Sequence, residues 1–115
     1  REVLKKALAL LSAAGYELEG TVLRHRETHE PLTFEILVST RDHERIALAY
    51  ARDLKRIGIA ATVRSVDAVQ FDRRRLTYDY DMMPYRWDQS LSPGNEQSFY
   101  WGSASADVDG TRNYM

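Results

Sequence analysis

The chain has no cysteine, and it contains only three prolines and six glycines among its 115 residues. The absence of cysteine excludes disulfides, thiolate nucleophiles and cysteine-ligated metal sites. The formal net charge of −1 gives no positive field that would attract nucleic acid, so no nucleic-acid partner is expected. No apolar run approaches the roughly 18 to 20 residues of a bilayer-spanning helix, and we expect no direct membrane insertion.

What the sequence does contain is the composition of an ordinary folded domain. Apolar residues make up 43% and charged residues 29% of the chain, a mixture typical of globular proteins and not of disordered or fibrous ones. A chain of 115 residues is long enough for one hydrophobic core and leaves little room for two. We therefore predict one structural unit over residues 1–115.

Hydrophobic periodicity and turn residues predict alternating helices and strands. In chain order these are a helix over 2–14, strands over 21–23 and 32–39 joined by a polar turn, a helix over 42–57, a strand over 59–66, a helix over 67–76 and a strand over 78–87. Gly15 and Gly58 follow the first two helices as left-handed stops, and Asp67 with Gln70 forms a variant capping box. The second helix carries an apolar stripe of Ile46, Tyr50, Leu54 and Ile57.

The order of strands and helices from residue 32 onward predicts right-handed parallel crossovers. The predicted fold class is therefore α/β, a three-layer sandwich with a mainly parallel βαβαβ sheet. If the strand over 32–39 is central, the winding reverses beside it, and ligands of open α/β sheets bind at that point, beyond the carboxyl ends of the strands. The loops after the first and third parallel strands supply the predicted ligand-binding residues: Thr40, Arg41, Trp87, Asp88, Gln89 and Ser90.

The predicted site depends most on Trp87. A tryptophan that closes a strand commonly packs in a core, and its chemistry alone leaves core packing and ligand contact equally open. Its position at the carboxyl edge of the sheet favours ligand contact, because the polar run that follows it is able to orient a ligand against the ring.

Two patterns contain the residue types of metal or catalytic sites. His25 and His29 are four residues apart, but they fall in the turn between strands, where a solvated turn is favoured over a metal site. Ser39, Asp42 and His43 contain a nucleophile, an acid and a base, but polar residues at a helix start explain them equally well. We predict no catalytic residue, no metal site and no cofactor, and hence a protein that is not an enzyme.

The run Arg73-Arg74-Arg75 closes the helix predicted over 67–76. Cations at the carboxyl end of a helix interact favourably with its dipole. A run of like charges is more often a solvated helix face than an anion-binding site, and we favour the solvated face.

Residues 88–115 lose periodicity and are rich in serine, glycine, asparagine and aspartate, yet they contain Phe99-Tyr100-Trp101. Three adjacent large aromatic side chains are costly to leave in water, and long irregular segments are uncommon in compact domains. We therefore expect these rings to pack against a neighbour outside the chain, and the chain to be part of a longer protein.

Several segments, taken in order, resemble one protein family. They are Ala-Leu-Ala-Leu-Leu-Ser-Ala-Ala-Gly-Tyr over 7–16, Glu-Pro-Leu-Thr-Phe over 30–34, Tyr-Ala-Arg-Asp-Leu over 50–54 with Gly58-Ile59, and Tyr80-Asp81-Met82 leading to Trp87. Their order is similar to that in the second lobe of family 5 extracellular solute-binding proteins of ABC importers. Residues 87–97, with the Phe-Tyr-Trp-Gly-Ser that follows over 99–103, resemble the YejA-like branch, which imports oligopeptides and peptide antibiotics.

The resemblance implies part of the second lobe of a periplasmic receptor with the type II periplasmic binding protein fold. Its two lobes close over the ligand about a hinge, and the closed receptor then docks onto the membrane subunits of an ABC transporter. The implied ligand is a peptide. Peptides suit this mode of binding, because hydrogen bonds to their backbone and roomy pockets accommodate many different side chains with little discrimination. The implied partners are this ligand, the first lobe and the transporter.

The chain departs from the family at two positions. Relatives that bind the amino terminus of a peptide have an aspartate three residues after the tryptophan, where this chain has Ser90. Asp88 is the candidate for that role, since a carboxylate pairs well with an ammonium group. Relatives of this branch often have glycine where this chain has His29, which implies a strained or differently shaped turn.

Two other hypotheses stay open. The same class of receptor can carry a non-peptide cargo such as a metal chelate, a glycan or haem. Alternatively, the βαβαβ order is shared by many stand-alone interaction or regulatory domains.

Overall fold

Helices and strands alternate along residues 2–114, the part of the chain that the computed structural model describes. The elements are α1 (Glu2–Ala13), β1 (Tyr16–Glu19), β2 (Val22–His25), β3 (Thr33–Val38), α2 (Arg41–Lys55), β4 (Ala60–Ser65), α3 (Ala68–Leu76), α4 (Glu96–Trp101) and a 3₁₀ helix (Ser103–Ser105). The three long helices and β4 lie where periodicity predicts them.

Caps explain where the helices begin and end. The Asp67 carboxylate accepts a hydrogen bond from the amide of Gln70 (2.8 Å), which confirms the predicted cap of α3. Gly58, with a φ of +84°, follows α2, and a Cβ at this position would lie 2.8 Å from the backbone nitrogen of Leu23. The junction between α2 and β4 therefore requires glycine for both its backbone angle and its close packing.

The central strand of the sheet is β3. It pairs in parallel with β4 on one side, and on the other side Leu37 donates to the carbonyl of Met82 (2.8 Å) while Met82 donates to the carbonyl of Glu35 (3.2 Å). The predicted order, with β3 in the middle, is confirmed. The strand predicted over 78–87 is wrong, because pairing is limited to a bridge at Met82 and Pro84 has no N–H to continue the ladder.

Side chains of β3 point alternately to two helical layers. Ile36, with Phe34 beside it, packs against Ala47 of α2. On the opposite face Leu37 is fully buried, and Glu35 forms an ion pair with Arg74 of α3 at 3.4 Å. The two helices thus cover opposite faces of the sheet, which confirms the α/β three-layer sandwich.

The first two predicted strands are present as β2 and β3, and a turn joins them, but the main partner of β2 is a different strand. β2 forms an antiparallel hairpin with β1, a strand that the sequence reading missed, through the two-residue turn Gly20-Thr21. β2 pairs with the residues that lead into β3 through a bridge between Arg24 and Pro31 and two hydrogen bonds, from the amide of Leu32 to the carbonyl of Leu23 (2.9 Å) and from the amide of His25 to the carbonyl of Glu30 (2.9 Å). The hairpin packs with α1 around Leu23, which is 1% exposed.

Large apolar side chains remain exposed on α2. Of its predicted stripe, Leu54 and Ile57 pack in the core, whereas Ile46 is 68% and Tyr50 47% exposed. The radius of gyration is 17.1 Å, compared with about 13 Å for a compact domain of this length. The molecule is therefore elongated for its length. No helix in residues 2–114 is long and apolar enough to cross a membrane.

Candidate functional site

The predicted site residues after β3 lie at the start of α2. Thr40 caps this helix, because its hydroxyl accepts a hydrogen bond from the amide of His43 at 3.3 Å. Arg41 is the first residue of α2 and is exposed. Both lie just beyond Val38, the carboxyl end of the central strand.

Trp87 lies among aromatic side chains five residues beyond the bridge at Met82. It is half-buried and touches four rings. Its ring centroid lies 4.9 Å from that of Tyr85, 4.8 Å from those of Tyr100 and Trp101, and 5.5 Å from that of Tyr114. We call these five residues the aromatic cluster. The indole is not sealed in the interior, so part of it is available for contact.

The inner side of the aromatic cluster is held by Tyr100, which is 5% exposed. Its hydroxyl donates to the carbonyl of Asp88 at 3.2 Å. The segment that follows is tied to α4 by Asn113, whose side-chain amide donates to the carbonyl of Gly102 at 3.0 Å. The chain after residue 88 therefore folds back to support the backbone next to Trp87, and part of the run Phe99-Tyr100-Trp101 packs within the chain itself.

Arg75 carries a positive charge into the aromatic cluster. Its guanidinium donates to the hydroxyl of Tyr114, pairs with Asp72 at 3.1 Å and lies 6.0 Å from the ring centroid of Tyr85. Burial lowers the pKa of Arg75, but the hydrogen bonds that its guanidinium donates to Tyr114 and Asp72 outweigh burial and leave this pKa above its ordinary value. Burial also raises the pKa of the Tyr114 hydroxyl.

The preference for a solvated arginine face is wrong for two of the three arginines. The side chain of Arg75 is 13% exposed and that of Arg74 is 23% exposed. Arg74 joins Glu35 of β3 to Asp79, with ion-pair distances of 3.4 Å and 3.1 Å. Helix periodicity turns only Arg73 to solvent and brings the other two over the sheet and the aromatic cluster.

The polar run after Trp87 is exposed. The carboxylate of Asp88 pairs with Arg86 at 3.1 Å, and the two side chains are 79% and 89% exposed. The Ser90 hydroxyl donates to the carboxylate of Glu96 at 2.9 Å, and Gln89 is exposed. Asp88 and Gln89 are thus accessible to a ligand, whereas Ser90 closes the loop that leads into α4.

The structure therefore presents the predicted residues as two groups. Residues 87–90 form one exposed rim beside the aromatic cluster, and Thr40 with Arg41 forms another at the start of α2. In the described part of the chain, no hydrogen bond, ion pair or ring contact joins the two groups. Both follow the carboxyl ends of neighbouring parallel segments, and their joint role in ligand binding stays a prediction.

Sequence reasoning missed the partners that orient Trp87. Tyr85 and Trp87 are two residues apart, a spacing that in an extended segment indicates side chains on the same face. The Phe99-Tyr100-Trp101 run indicates aromatic rings that must be buried, but not where they pack. Nothing in the sequence connects Arg75 with Tyr114, because they are 39 residues apart and meet only through the fold.

The other patterns have structural roles. His25 is the last residue of β2 and its ring packs edge-on against Tyr16 at 5.3 Å, while His29 in the following turn pairs with Glu19 at 3.2 Å. His29 has a φ of +58°, so the turn that resembles a glycine position in relatives is strained here. Among residues 2–114, no cluster of three or more histidine and acidic side chains is placed to hold a metal ion.

The profile of the bacterial extracellular solute-binding proteins, family 5 Middle, matches residues 2–109. The chain belongs to this family. Family 5 solute-binding proteins are binding proteins and not enzymes, which confirms the prediction that this chain is not an enzyme. Membership also favours the solute-binding hypothesis over that of a stand-alone interaction domain.

Among proteins of known sequence, this family 5 chain is similar to several rhizobial relatives. It is 54% identical over 99% of its length to the uncharacterized protein y4wM of Sinorhizobium fredii. It is 42% identical over 98% to the probable peptide-binding protein YejA of Agrobacterium fabrum and 43% identical over 99% to the peptidoglycan-binding protein YepA of the same organism. The chain spans only 17–18% of the length of these relatives.

Solved structures show the same fold. The oligopeptide-binding protein AppA of Bacillus subtilis, in complex with a nonapeptide, matches 96% of this chain and 22% of its own with a TM-score of 0.80 and 23% identity. NikA of Brucella suis, in complex with Fe(III)-EDTA, matches 94% and 21% with a TM-score of 0.71 and 19% identity. The mannohexaose-bound oligopeptide-binding protein of Thermotoga maritima matches 92% and 21% with a TM-score of 0.73 and 13% identity. These neighbours confirm the type II periplasmic binding protein fold.

Proposed function

We propose that this chain is the ligand-facing part of one lobe of a two-lobed periplasmic receptor, which captures oligopeptides and delivers them to an ABC importer. The observation that carries this proposal is the half-buried indole of Trp87, which lies next to an exposed polar rim beyond the central strand. A surface that combines an aromatic face with polar side chains suits a peptide, since the ring packs against side chains while polar groups meet the backbone.

The shape of the molecule supports a role as part of a larger body. Ile46 and Tyr50 leave apolar surface on α2, and Phe99 is 55% exposed beside the aromatic cluster. Apolar surface of this extent on a single domain is typical of contact with another protein surface. In the proposed receptor this surface packs against the rest of the same protein, which closes over the ligand from the opposite side.

Asp88 is the proposed partner of the ligand's ammonium group. Its carboxylate is exposed and pairs only with the equally exposed Arg86 in the described part of the chain. Exposed ion pairs contribute about 1 kcal/mol or less, so a ligand ammonium displaces Arg86 at little cost. A lobe that closes over the pair removes water and strengthens the new contact.

A non-peptide cargo is the second candidate. YepA is named as peptidoglycan-binding, and neighbours with this fold are solved with Fe(III)-EDTA and with mannohexaose. An aromatic platform also packs against sugar rings, so the exposed face of Trp87 suits a glycan as well as a peptide. Mass spectrometry of the ligand that the receptor retains on purification separates these cargoes.

The test uses the longer receptor that the proposal requires. We expect its melting temperature to rise with members of a di- to hexapeptide library, because a ligand that binds only the folded state stabilises it. The Trp87→Ala variant is expected to lose most of this shift, whereas Val69→Ala, an exposed position on α3 that is 79% accessible, keeps it. A receptor that shows no shift with any peptide and retains no peptide contradicts the proposal.

A further inference from the structure

Arg75 occupies an unusual position for an arginine in the last turn of a short helix. Its side chain is only 13% exposed, although arginine is rarely buried without a specific partner. Each of the three nitrogens of its guanidinium donates a hydrogen bond, since Nε and Nη2 donate to Asp72 at 3.2 Å and 3.1 Å and Nη1 donates to the hydroxyl of Tyr114.

The guanidinium also lies against two aromatic rings. Its central carbon is 5.6 Å from the ring centroid of Tyr114 and 6.0 Å from that of Tyr85. Both distances fall within the range at which a cation is attracted to an aromatic face. Arg75 therefore binds two members of the aromatic cluster at once, by a hydrogen bond and by its charge.

Those two rings are among the four that contact the indole of Trp87. Tyr85 and Tyr114 lie 4.7 Å apart, and each also contacts Trp87, at 4.9 Å and 5.5 Å. Residues 83–90 belong to no helix or strand, so this segment is supported by the hydrogen bond from the Tyr100 hydroxyl to the carbonyl of Asp88 and by side-chain contacts. The orientation of the indole thus depends on side-chain contacts, and Arg75 binds two of the four rings that make them.

We propose that Arg75 is a positioning residue that sets the orientation of Trp87 and holds the rim at residues 87–90 ready for a ligand. The effect of Arg75 on ligand binding rests on the proposed function. The effect of Arg75 on the orientation of Trp87 does not, so the two effects are measured separately. Lysine cannot replace it fully, because a single ammonium cannot bond Asp72 and Tyr114 in a planar fork and also stack on a ring.

The two tryptophans of the chain make the first measurement selective. Trp87 and Trp101 are the chain's only tryptophans, and their rings lie 4.8 Å apart in the aromatic cluster. The near-ultraviolet circular dichroism of tryptophan therefore reports on this cluster alone. We expect Arg75→Met to lose most of that signal while the far-ultraviolet spectrum is retained, Arg75→Lys to recover part of it, and Tyr114→Phe to show an intermediate loss.

Arg73→Met is the matched control, because Arg73 lies in the same helix with an exposed side chain. It is expected to leave the tryptophan signal unchanged. A wild-type spectrum in Arg75→Met, or an equal loss in Arg73→Met, overturns the proposal. If Arg75→Met does not fold, Arg75→Lys and Tyr114→Phe decide, and a wild-type tryptophan spectrum in both overturns it.

The second measurement tests the link to the ligand in the longer receptor, with the same di- to hexapeptide library. We expect Arg75→Met to raise the dissociation constant of a bound peptide about tenfold, and Arg73→Met to leave it unchanged. Unchanged affinity together with a lost tryptophan signal overturns the role in binding. If the unmodified receptor binds no peptide, the proposed function fails, and the tryptophan spectra still decide whether Arg75 orients Trp87.

Discussion

The imidazole of His25 accepts hydrogen bonds from backbone amides of the turn that follows it. Its Nδ1 accepts from the amides of Glu27 and Thr28 at 3.3 Å and 3.4 Å, and its ring packs against Tyr16. At the residue scale, the spacing of His25 and His29 indicated neither metal nor catalysis. The solvated turn was the better interpretation, although His25 itself is half-buried.

We expect His25→Ala to lower the free energy of unfolding by about 1–2 kcal/mol, because two amides in the turn lose their acceptor. Urea denaturation followed by far-ultraviolet circular dichroism measures the change. The control is His43→Ala, an exposed residue of α2 whose replacement is expected to change stability by less than about 0.5 kcal/mol. Equal effects of the two substitutions contradict the role assigned to His25.

Glu96 supports a prediction about pH. Hydrogen bonds to its carboxylate from its own amide, from the Ser90 hydroxyl and from the amide of Gly94 hold the pKa of Glu96 below its ordinary value. Because the pKa of Glu96 is lowered in the folded state, the stability that these hydrogen bonds contribute is fully present above the ordinary pKa of glutamate. It is lost as pH falls through the lowered pKa. Protonation of Glu96 in acid is therefore expected to weaken the hydrogen bonds that its carboxylate accepts from Ser90 and Gly94.

Carboxyl carbon chemical shifts of Glu96, followed by NMR as pH is lowered, check this expectation. Ser90→Ala removes one donor and should move the pKa of Glu96 up towards its ordinary value. Ser92→Ala is the control, since Ser92 takes part through its backbone carbonyl and not through its hydroxyl. An identical titration in wild type and Ser90→Ala shows that Ser90 does not stabilise the carboxylate.

At the scale of elements, local signals predicted the helices better than the strands. The caps and glycine stops belong to neighbouring residues, so Asp67 and Gly58 marked true boundaries. Strands depend on distant partners. β1 was missed because its four residues form a strand only when paired with β2, and the strand predicted over 78–87 lacks the backbone donor of Pro84 that would extend its pairing with β3.

Two glycines with positive φ allow a matched test of the element junctions. A Cβ at Gly58 would lie 2.6 Å from the side chain of Leu18 and 2.8 Å from the backbone nitrogen of Leu23, whereas nothing lies within 4 Å of one at Gly20. Gly20→Ala is expected to cost about 1–2 kcal/mol from backbone strain alone. Gly58→Ala should cost more, because it adds a collision between α2 and the hairpin.

Thermal or urea unfolding of the two variants, compared with the unmodified chain, provides the measurement. Equal losses at Gly20 and Gly58 would mean that the junction between α2 and β4 relaxes without cost. The packing of the hairpin against this junction would then contribute little to the core around Leu23.

At the scale of the whole molecule, the proposed function makes the rim at residues 87–90 one side of a ligand-binding cleft. We expect the isolated 115-residue chain to bind peptides negligibly, because most of the area that encloses a small ligand must come from an opposing surface. Isothermal titration calorimetry with the peptide library checks this, with the longer receptor as the positive control. Micromolar binding by the isolated chain would show that the rim forms a complete site by itself.

The sequence by itself determined the three longer helices, the parallel α/β order and the family, because periodicity, caps and motif order are properties of neighbouring residues, whereas α4 lies in a segment predicted to be irregular. The sequence predicted Trp87 at the end of a strand, whereas the structure places Trp87 in an irregular segment five residues beyond the bridge at Met82. Only the tertiary structure decided the hairpin of β1 and β2, the exposed stripe of α2 and the contact of Arg75 with the aromatic cluster. The physical reason is that these features join residues far apart in the chain, and a side chain's partners are set by how the elements pack.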